Sequence, residues 1–204
     1  LANAPALTAL LGSDNGDPVR RAVLGSLPAE LGVVLDRPGS DGNQRAIIEG
    51  IAGVADLTLV VDTDGPMTAF GQDRISVTLE AFADSATELL SQLGLPPVIA
   101  GEDGAMLSIV AFGNPSGTLE TEFTLEGGGE RIDFSGSMVV ADPADVQGRG
   151  TVSFLFEDTS ALLELAGANG IYFPPVEGLA DIAFSGRESV ALQGLWAQSG
   201  DSEI

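Results

Sequence analysis

Carboxylates are the side chains of this sequence whose type and number could support chemistry. The chain holds 30 Asp and Glu residues but no His and no Cys, and all 8 of its basic residues are Arg. A Ser nucleophile therefore lacks the His or Lys that would activate it, and a thiolate nucleophile is absent. Zinc sites built on His or Cys and phosphate loops that require Lys are excluded in the same way. What remains is the chemistry of carboxylates.

One candidate for that chemistry is the run Asp62-Thr63-Asp64-Gly65. Clustered oxygens on a tight turn suit either a calcium loop or an aspartic protease loop. The run lacks the spaced ligands and closing Glu of a calcium loop, and it lacks the repeated Asp-Thr-Gly of a protease. Gly127-Gly128-Gly129 with Asp133 is similar to one repeat of a calcium β-roll, an architecture that needs tandem copies. We interpret both runs as turns and predict no metal site and no cofactor.

A pair of carboxylates could also hydrolyse a glycosidic bond, and the sequence does not give the separations that would decide this. Trp196 and Tyr172 are the candidates for a platform under a sugar ring, and packing in the core or at its rim is the alternative for each. The acidic residues alternate with apolar ones, as the solvent face of a strand requires. We therefore predict that the chain is not an enzyme.

The charge balance limits the partners. The formal net charge is -22 on 204 residues, of which 44% are hydrophobic, so the chain is long and apolar enough for a core and too acidic for nucleic acid. Anionic lipid head groups find no basic patch, and lipid contact is expected through acyl chains. Apolar stretches such as residues 105–112 are far shorter than the roughly 20 residues that span a bilayer, which predicts no transmembrane segment in this chain.

Two similar units follow one another along the sequence. Each runs from an alternating strand through an acidic cap, a Leu-rich segment, a Gly and a Pro-Pro pair to another strand. The units are SVTLEAFADSATELLSQLGLPPVIAGEDGAMLSIVAFG from Ser76 and TVSFLFEDTSALLELAGANGIYFPPVEGLADIAFSG from Thr151. A degenerate earlier copy is indicated by residues 7–12 and 31–35, which suggests a repeat architecture.

These units predict a mainly β fold with short helices (α+β), an antiparallel twisted sheet meander built from repeated sheet-plus-helix units. The predicted divisions are residues 1–70 as a degenerate first unit, residues 71–150 as a second unit with a hairpin, and residues 151–204 as a truncated third unit. Ser85 and Glu88 have the spacing of a capping box. Helices are predicted to begin near Asp17, Ser85 and Asp158 and to end at Gly25, Gly94 and Gly167.

Alternation of apolar and polar residues predicts strands whose two faces differ. In residues 118–126, Leu and Phe occupy one face and Glu the other, and the segment after the glycine run alternates in the same way, which predicts a hairpin. The apolar face of these and the later strands is the predicted lipid-contact surface. Its candidate residues are Leu119, Phe123, Leu125, Ile132, Phe134, Val152, Phe154, Phe156, Ile182, Phe184, Leu192 and Trp196.

The sequence from Ser76 to Ile204, most clearly from Thr118 onward, resembles the C-terminal periplasmic region of AsmA-like proteins of the TamB and YhdP group. The resemblance lies in LEGGGERIDFSGSMVVADP, GRGTVSFLFEDTSALLELAG, FPPVEGLADIAFSG and SVALQGLWAQSGDSEI. It implies a non-catalytic, periplasmic segment of a Gram-negative cell-envelope protein, anchored to the inner membrane by a segment outside this sequence. The implied role is outer-membrane assembly or phospholipid transport between membranes, with acyl chains and envelope proteins as partners and an apolar groove in the sheet.

A second interpretation of the same composition is an acidic extracellular or surface binding module, such as an adhesin-like β-solenoid. A fixed repeat of about 20 to 50 residues would favour the solenoid, and the longer spacing of the units here favours a sheet. An open lipid groove and a core closed by the Leu-rich helices both satisfy the apolar pattern. The pattern does not specify a lipid, a partner protein or an oligomeric state.

Overall fold

A computed structural model describes residues 29–36, 42–66, 73–93, 99, 103–142, 145–159, 174–186, 189–200 and 202–203. These residues form one open sheet of 11 strands, with one short helix beside it in this part of the chain. The predicted mainly β, antiparallel fold is confirmed. The helices predicted to begin near Asp17 and after Asp158 lie outside the described residues.

The strands follow one another in chain order across the sheet. They are β1 Ala29–Leu35, β2 Gln44–Ala52, β3 Ala55–Thr63, β4 Ile75–Ala83, β5 Ala105–Gly113, β6 Thr118–Gly127, β7 Glu130–Asp142, β8 Asp145–Phe156, β9 Val176–Ser185, β10 Ser189–Ser199 and β11 Ser202–Glu203. The helix, α1, is Ala86–Leu93 and lies between β4 and β5.

Each strand pairs antiparallel with the strand before it, from β1 at one edge to β11 at the other. A parallel β-helix cannot have this pairing, so the solenoid architecture is excluded for the described residues. The sheet is continuous across the predicted divisions of the chain: β3 pairs with β4 across position 70, and β8 runs through position 150.

The hairpin of β6 and β7 confirms the strand pair predicted around the glycine run. Gly127 is the last residue of β6, and Gly128 and Gly129 form the turn, with φ angles of 61° and 86°. Positive φ at both central residues is the backbone that a two-residue hairpin turn needs, and Gly adopts it without a steric penalty. Two consecutive glycines therefore set the register in which Phe123 faces Phe134.

Helix α1 begins where the capping box was predicted. The backbone N–H of Glu88 donates to Ser85 Oγ at 3.3 Å, and the N–H of Leu89 donates to the Ser85 carbonyl at 3.1 Å. The Ser85 side chain thus satisfies one of the amides that the first helical turn leaves without an internal partner. Gly94, the predicted stop, lies outside the described residues.

The core lies where α1 packs on one end of the sheet. Leu89, Leu90 and Ile99 are each at most 1% exposed. Burying a Leu side chain fully is worth roughly 1.5–3 kcal/mol, so Leu89 and Leu90 hold the helix on the sheet. Their partners on the strands are mostly small, which lets the helix approach closely: Ala52, Ala55, Leu57, Ala81, Ala83, Ala105, Leu107 and Leu125.

Candidate functional site

The candidate site is the apolar face of the sheet, and the strand register makes it continuous. Residues directly opposite one another in antiparallel strands lie on the same face. One such cross-strand row runs from β1 to β9 without a polar side chain. Its members are Val33, Ile48, Leu59, Leu79, Ile109, Phe123, Phe134, Val152 and Ala180.

A second row lies two residues away along each strand and is also apolar. It runs through Leu57, Ala81, Leu107, Leu125, Ile132, Phe154 and Gly178. Because side chains alternate with a period of two, a slip of one residue in any strand would bring that strand's polar residues onto this face. The alternation of apolar and polar residues that forms the apolar face therefore also specifies the strand register.

The register places the predicted lipid-contact residues on this face, with one exception. Those on the face are Leu119, Phe123, Leu125, Ile132, Phe134, Val152, Phe154, Phe156, Ile182, Phe184 and Leu192. Their exposure changes along the sheet. Leu125 is buried beside α1, Phe123 and Phe134 are half-buried in the middle of the sheet, and Leu192 near the far edge is 59% exposed.

Trp196 is the exception, and its predicted position was wrong. A β-bulge shifts the register of β10 between Gln193 and Trp196, where Gly194 has a φ of 59°. The one extra residue moves Trp196 opposite Leu179, a residue of the polar face that is 44% exposed. A bulge of this kind re-aims the side chains that follow it, and strict alternation cannot anticipate it.

On β7, β8 and β9 the apolar face is built from phenylalanine rings lying over glycines. A Cβ atom added to Gly150 would lie 2.8 Å from the ring of Phe134, and one added to Gly178 would lie 2.6 Å from the ring of Phe154. The Phe134 ring also packs on Phe184, with 6.2 Å between ring centroids. The glycines thus leave room for the phenylalanine rings to lie flat against the backbone. The rings together form a shallow aromatic surface.

The covered end of the face is tied to the β2–β3 turn by one side chain of α1. The backbone N–H of Val54 donates to Gln92 Oε1 at 3.0 Å, and Gln92 Nε2 donates to the Ala52 carbonyl at 2.9 Å. Both polar ends of the amide are satisfied, so the helix is held to the turn by hydrogen bonds as well as by packing. This part of the face is core and is closed to any ligand.

The opposite face is acidic and carries two bidentate ion pairs. Arg45 Nε and Nη2 donate to the two carboxylate oxygens of Asp62 at 2.7 and 2.9 Å. Arg131 binds Asp133 in the same way, at 2.7 and 3.0 Å, and Thr124 Oγ1 donates to Asp133 at 2.7 Å. Hydrogen bonds from Arg131, with a smaller contribution from Thr124, lower the pKa of Asp133 below its ordinary value. The two pairs neutralise the carboxylates of Asp62 and Asp133 on this face.

The run considered for calcium lies at the end of β3. Asp62 accepts both hydrogen bonds from Arg45, and the hydroxyl of Thr63 donates to the carbonyl of Gly65. Within the described ranges, no group of three or more His, Cys, Asp or Glu side chains is arranged to hold a metal ion. Asp62 is therefore the partner of Arg45 in a surface ion pair.

Large apolar side chains on the acidic face were not identified from the sequence. Phe82 lies directly opposite Met106, and the two side chains are 50% and 45% exposed. They line a depression of about 820 Å³ that also contains the carboxylates Glu30, Glu49, Asp56 and Glu80. Both faces of β5 are apolar in the sequence, so alternation gives no contrast from which Met106 could have been assigned to a face. Phe82 is an apolar residue on the otherwise polar side of β4.

Comparison of the chain with protein-family models, with curated proteins and with solved structures finds no match. Among the described residues, no helix is both long and apolar enough to cross a membrane.

Proposed function

We propose that this chain is a non-catalytic segment of an AsmA-like envelope protein and that its apolar sheet face covers phospholipid acyl chains. The observation that carries the proposal is the apolar row that runs unbroken from Val33 to Ala180. Among the described residues, α1 and Ile99 pack on one end of this face. Ala46, Val61 and Ile75, at the other end of β2 to β4, are buried as well, whereas Phe134, Val152, Ile182 and Phe184 of β7 to β9 remain partly exposed. Apolar area without a protein cover is stabilised by any apolar partner, at roughly 25 cal/mol per Å².

The dimensions of the row suit acyl chains. Neighbouring strands lie about 4.8 Å apart, so a row across nine strands spans roughly 38 Å. One leaflet of a bilayer contributes about 15 Å of hydrocarbon. The part of the face beyond the core, from β6 to β10, spans roughly 19 Å, so an acyl chain lying across these strands would still be covered over its length.

The cellular role proposed for the segment follows from the AsmA-like pattern of its sequence. It would act in the periplasm of a Gram-negative cell, in outer-membrane assembly or in phospholipid transport between membranes, within a protein anchored to the inner membrane. The acidic face supports this role, because it keeps one side of the sheet hydrated while the other side contacts lipid. Phospholipid is the proposed cargo, and other envelope proteins are the proposed partners.

Site-specific photocrosslinking tests the proposal. A benzophenone amino acid replaces Phe134 on the apolar face or, as a matched control, Phe82 on the acidic face, and the protein is purified from Gram-negative cells after irradiation. We expect a phospholipid adduct by mass spectrometry at position 134 and none at position 82. Equal labelling at both positions, or no adduct at either, contradicts the proposal.

A polar substitution separates a lipid surface from an ordinary core. Phe184 is half-buried at the aromatic end of the face, and Phe184→Asp should reduce lipid co-purification while the protein still unfolds cooperatively. Loss of folding in this variant, together with no captured lipid in the wild type, would show that the face is a protein core.

A further inference from the structure

The depression on the acidic face contains a band of exposed apolar side chains. Ile51 of β2, Phe82 of β4 and Met106 of β5 line it, and each is between 45% and 50% exposed. Ile51 and Phe82 both lie opposite Asp56, and Phe82 also lies opposite Met106, so the band runs across the strands. All of these strands are paired on both sides. Clustered apolar side chains on an otherwise hydrated face mark an interaction surface.

The Phe82 ring is supported by the backbone beside it. A Cβ atom added to Gly104, just before β5, would lie 3.1 Å from the ring. The glycine therefore lets the ring rest on the main chain while half of the Phe82 side chain stays exposed to solvent. A ring that is already held in place loses little freedom when a ligand contacts it, which lowers the cost of binding.

A second phenylalanine on the same face already binds a cation. The guanidinium carbon of Arg74 lies 4.4 Å from the centroid of the Phe112 ring. The electron-rich face of an aromatic ring attracts a cation, and the planar guanidinium stacks on it best. Among the described residues, no cation lies over the ring of Phe82. Phe82 therefore offers to an external guanidinium the contact that Arg74 makes within the chain.

Charge complementarity determines which ligand suits the depression. Glu30, Glu49, Asp56 and Glu80 line it, and none of its described lining residues is basic. None of these four carboxylates forms an ion pair with a described residue. Anionic lipids and nucleic acids would be repelled, and an acyl chain would remove water from the carboxylates without replacing it. A ligand that is both cationic and apolar matches the carboxylates and the apolar band together.

The spacing of the carboxylates favours a ligand with several cations. Glu49 and Glu80 lie in one cross-strand row, and Glu30 and Asp56 lie in the next, with one residue between the members of each pair. The two members are two strands apart, which is roughly 9.6 Å. One guanidinium binds one carboxylate through its two-pronged hydrogen bonds. A single small cation would therefore leave most of the carboxylates without a partner.

We propose that this depression is a docking site for a segment of a partner protein that carries several arginines among apolar residues. One guanidinium stacks on Phe82 and pairs with Glu80, which is two residues away on the same strand. Further arginines pair with Asp56 and Glu49, and apolar side chains of the segment contact Met106. The site lies on the face opposite the acyl-chain surface, so it stands or falls independently of the lipid proposal.

Fluorescence anisotropy with synthetic peptides tests the docking site. The probe is a short labelled peptide of alternating Arg and Leu, and the comparison peptides replace Arg by Lys or by uncharged citrulline. We expect micromolar binding of the Arg–Leu peptide that weakens between about 0.05 M and 0.5 M NaCl. The Lys–Leu peptide should bind about threefold more weakly, and the citrulline peptide should not bind.

Two results with these ligands would overturn the proposal. Equal binding of the Arg–Leu and Lys–Leu peptides would reduce the interaction to charge alone, without stacking on an aromatic ring. Arginine amide that binds as tightly as the Arg–Leu peptide would make a small cation the ligand in place of a protein segment.

Protein variants locate the site. Phe82→Ala and Glu80→Gln should each weaken binding of the Arg–Leu peptide at least about threefold. Leu155→Ala and Glu122→Gln make comparable changes at exposed positions of the same face outside the depression and should leave binding unchanged. Equal losses in Glu80→Gln and Glu122→Gln would show a general attraction to the acidic face and overturn the site. A wild-type dimer in sedimentation analysis that Phe82→Ala dissociates would make a second copy the occupant.

Discussion

Glycine positions decide how closely the strands and rings of the apolar face pack. A Cβ atom on Gly150 would approach the Cα of Gly136 to 2.7 Å and the Phe134 ring to 2.8 Å. These distances are shorter than any real Cβ contact tolerates, and the backbone atom cannot swing away as a side chain can. The two glycines lie directly opposite each other in β7 and β8, and neither position has room for a Cβ atom.

We expect Gly150→Ala to lower the free energy of unfolding by about 1–3 kcal/mol, because β7 and β8 must separate to accept the methyl group. Gly32→Ala is the matched control: its nearest neighbour would be the Glu49 carbonyl oxygen at 3.6 Å, an ordinary contact. Urea unfolding followed by circular dichroism measures both. Equal stability of the two variants would show that the sheet relaxes around Gly150 without cost.

The Asp133 carboxylate gives a pH dependence whose sign is fixed by its lowered pKa. A group with a depressed folded pKa stabilises the fold above its unfolded pKa, near the ordinary value of 3.8, and loses that contribution as pH falls through the folded value. Asp133→Asn should therefore be less stable than wild type at pH 7, by less than about 1 kcal/mol because the pair is partly exposed. The difference should begin to shrink near pH 3.8 and disappear only below the lowered folded pKa. Thermal unfolding from pH 7 to pH 3 measures it, and a constant difference contradicts the assignment.

At the scale of single elements, the sequence predicted those features that residues close together in the chain determine. The Ser85 cap, the double-glycine turn and the alternation of β6 and β7 each depend on neighbours in sequence, and each was predicted. Strand β2 was missed because Ile47 and Ile51 lie on its polar face and blur the alternation. The position of Trp196 depended on a bulge, which is set by pairing with β9 and leaves no local signal beyond Gly194.

The cap of α1 is tested by two identical substitutions in one element. Ser85→Ala removes the acceptor for the Glu88 amide and should destabilise the protein by about 1 kcal/mol. Ser91 is exposed in the same helix, and Ser91→Ala should be neutral or slightly stabilising because Ala is the better helix former. Chemical denaturation compares them; the reverse ranking would mean that the cap contributes nothing.

At the scale of the whole molecule, net charge opposes folding in addition to the loss of chain entropy. The chain has a net charge of -22, and the polar face of the sheet carries many of its carboxylates, among them Glu49, Asp56 and Glu80. Self-repulsion of this kind destabilises a compact state and is screened by salt. The ion pairs of Arg45 and Arg131 neutralise only a small part of it, because the chain has only 8 basic residues.

We therefore expect the melting temperature to rise by several degrees between about 0.02 M and 0.5 M NaCl, as screening reduces repulsion among the carboxylates. Sucrose at matched osmolality is the control for a general effect on hydration. Differential scanning calorimetry measures the change. A melting temperature that falls with salt would indicate that the ion pairs outweigh the repulsion.

The strictly sequential pairing has a consequence for the way the protein is made. Because each strand needs only its predecessor as a template, β1 to β3 can form a ladder while β8 to β10 are still being synthesised. Assembly can proceed in the order of emergence, without waiting for the C-terminus. Until the last strand arrives, the newest strand always presents an open edge, so a nascent sheet is vulnerable to mispairing at one moving boundary rather than over its whole surface.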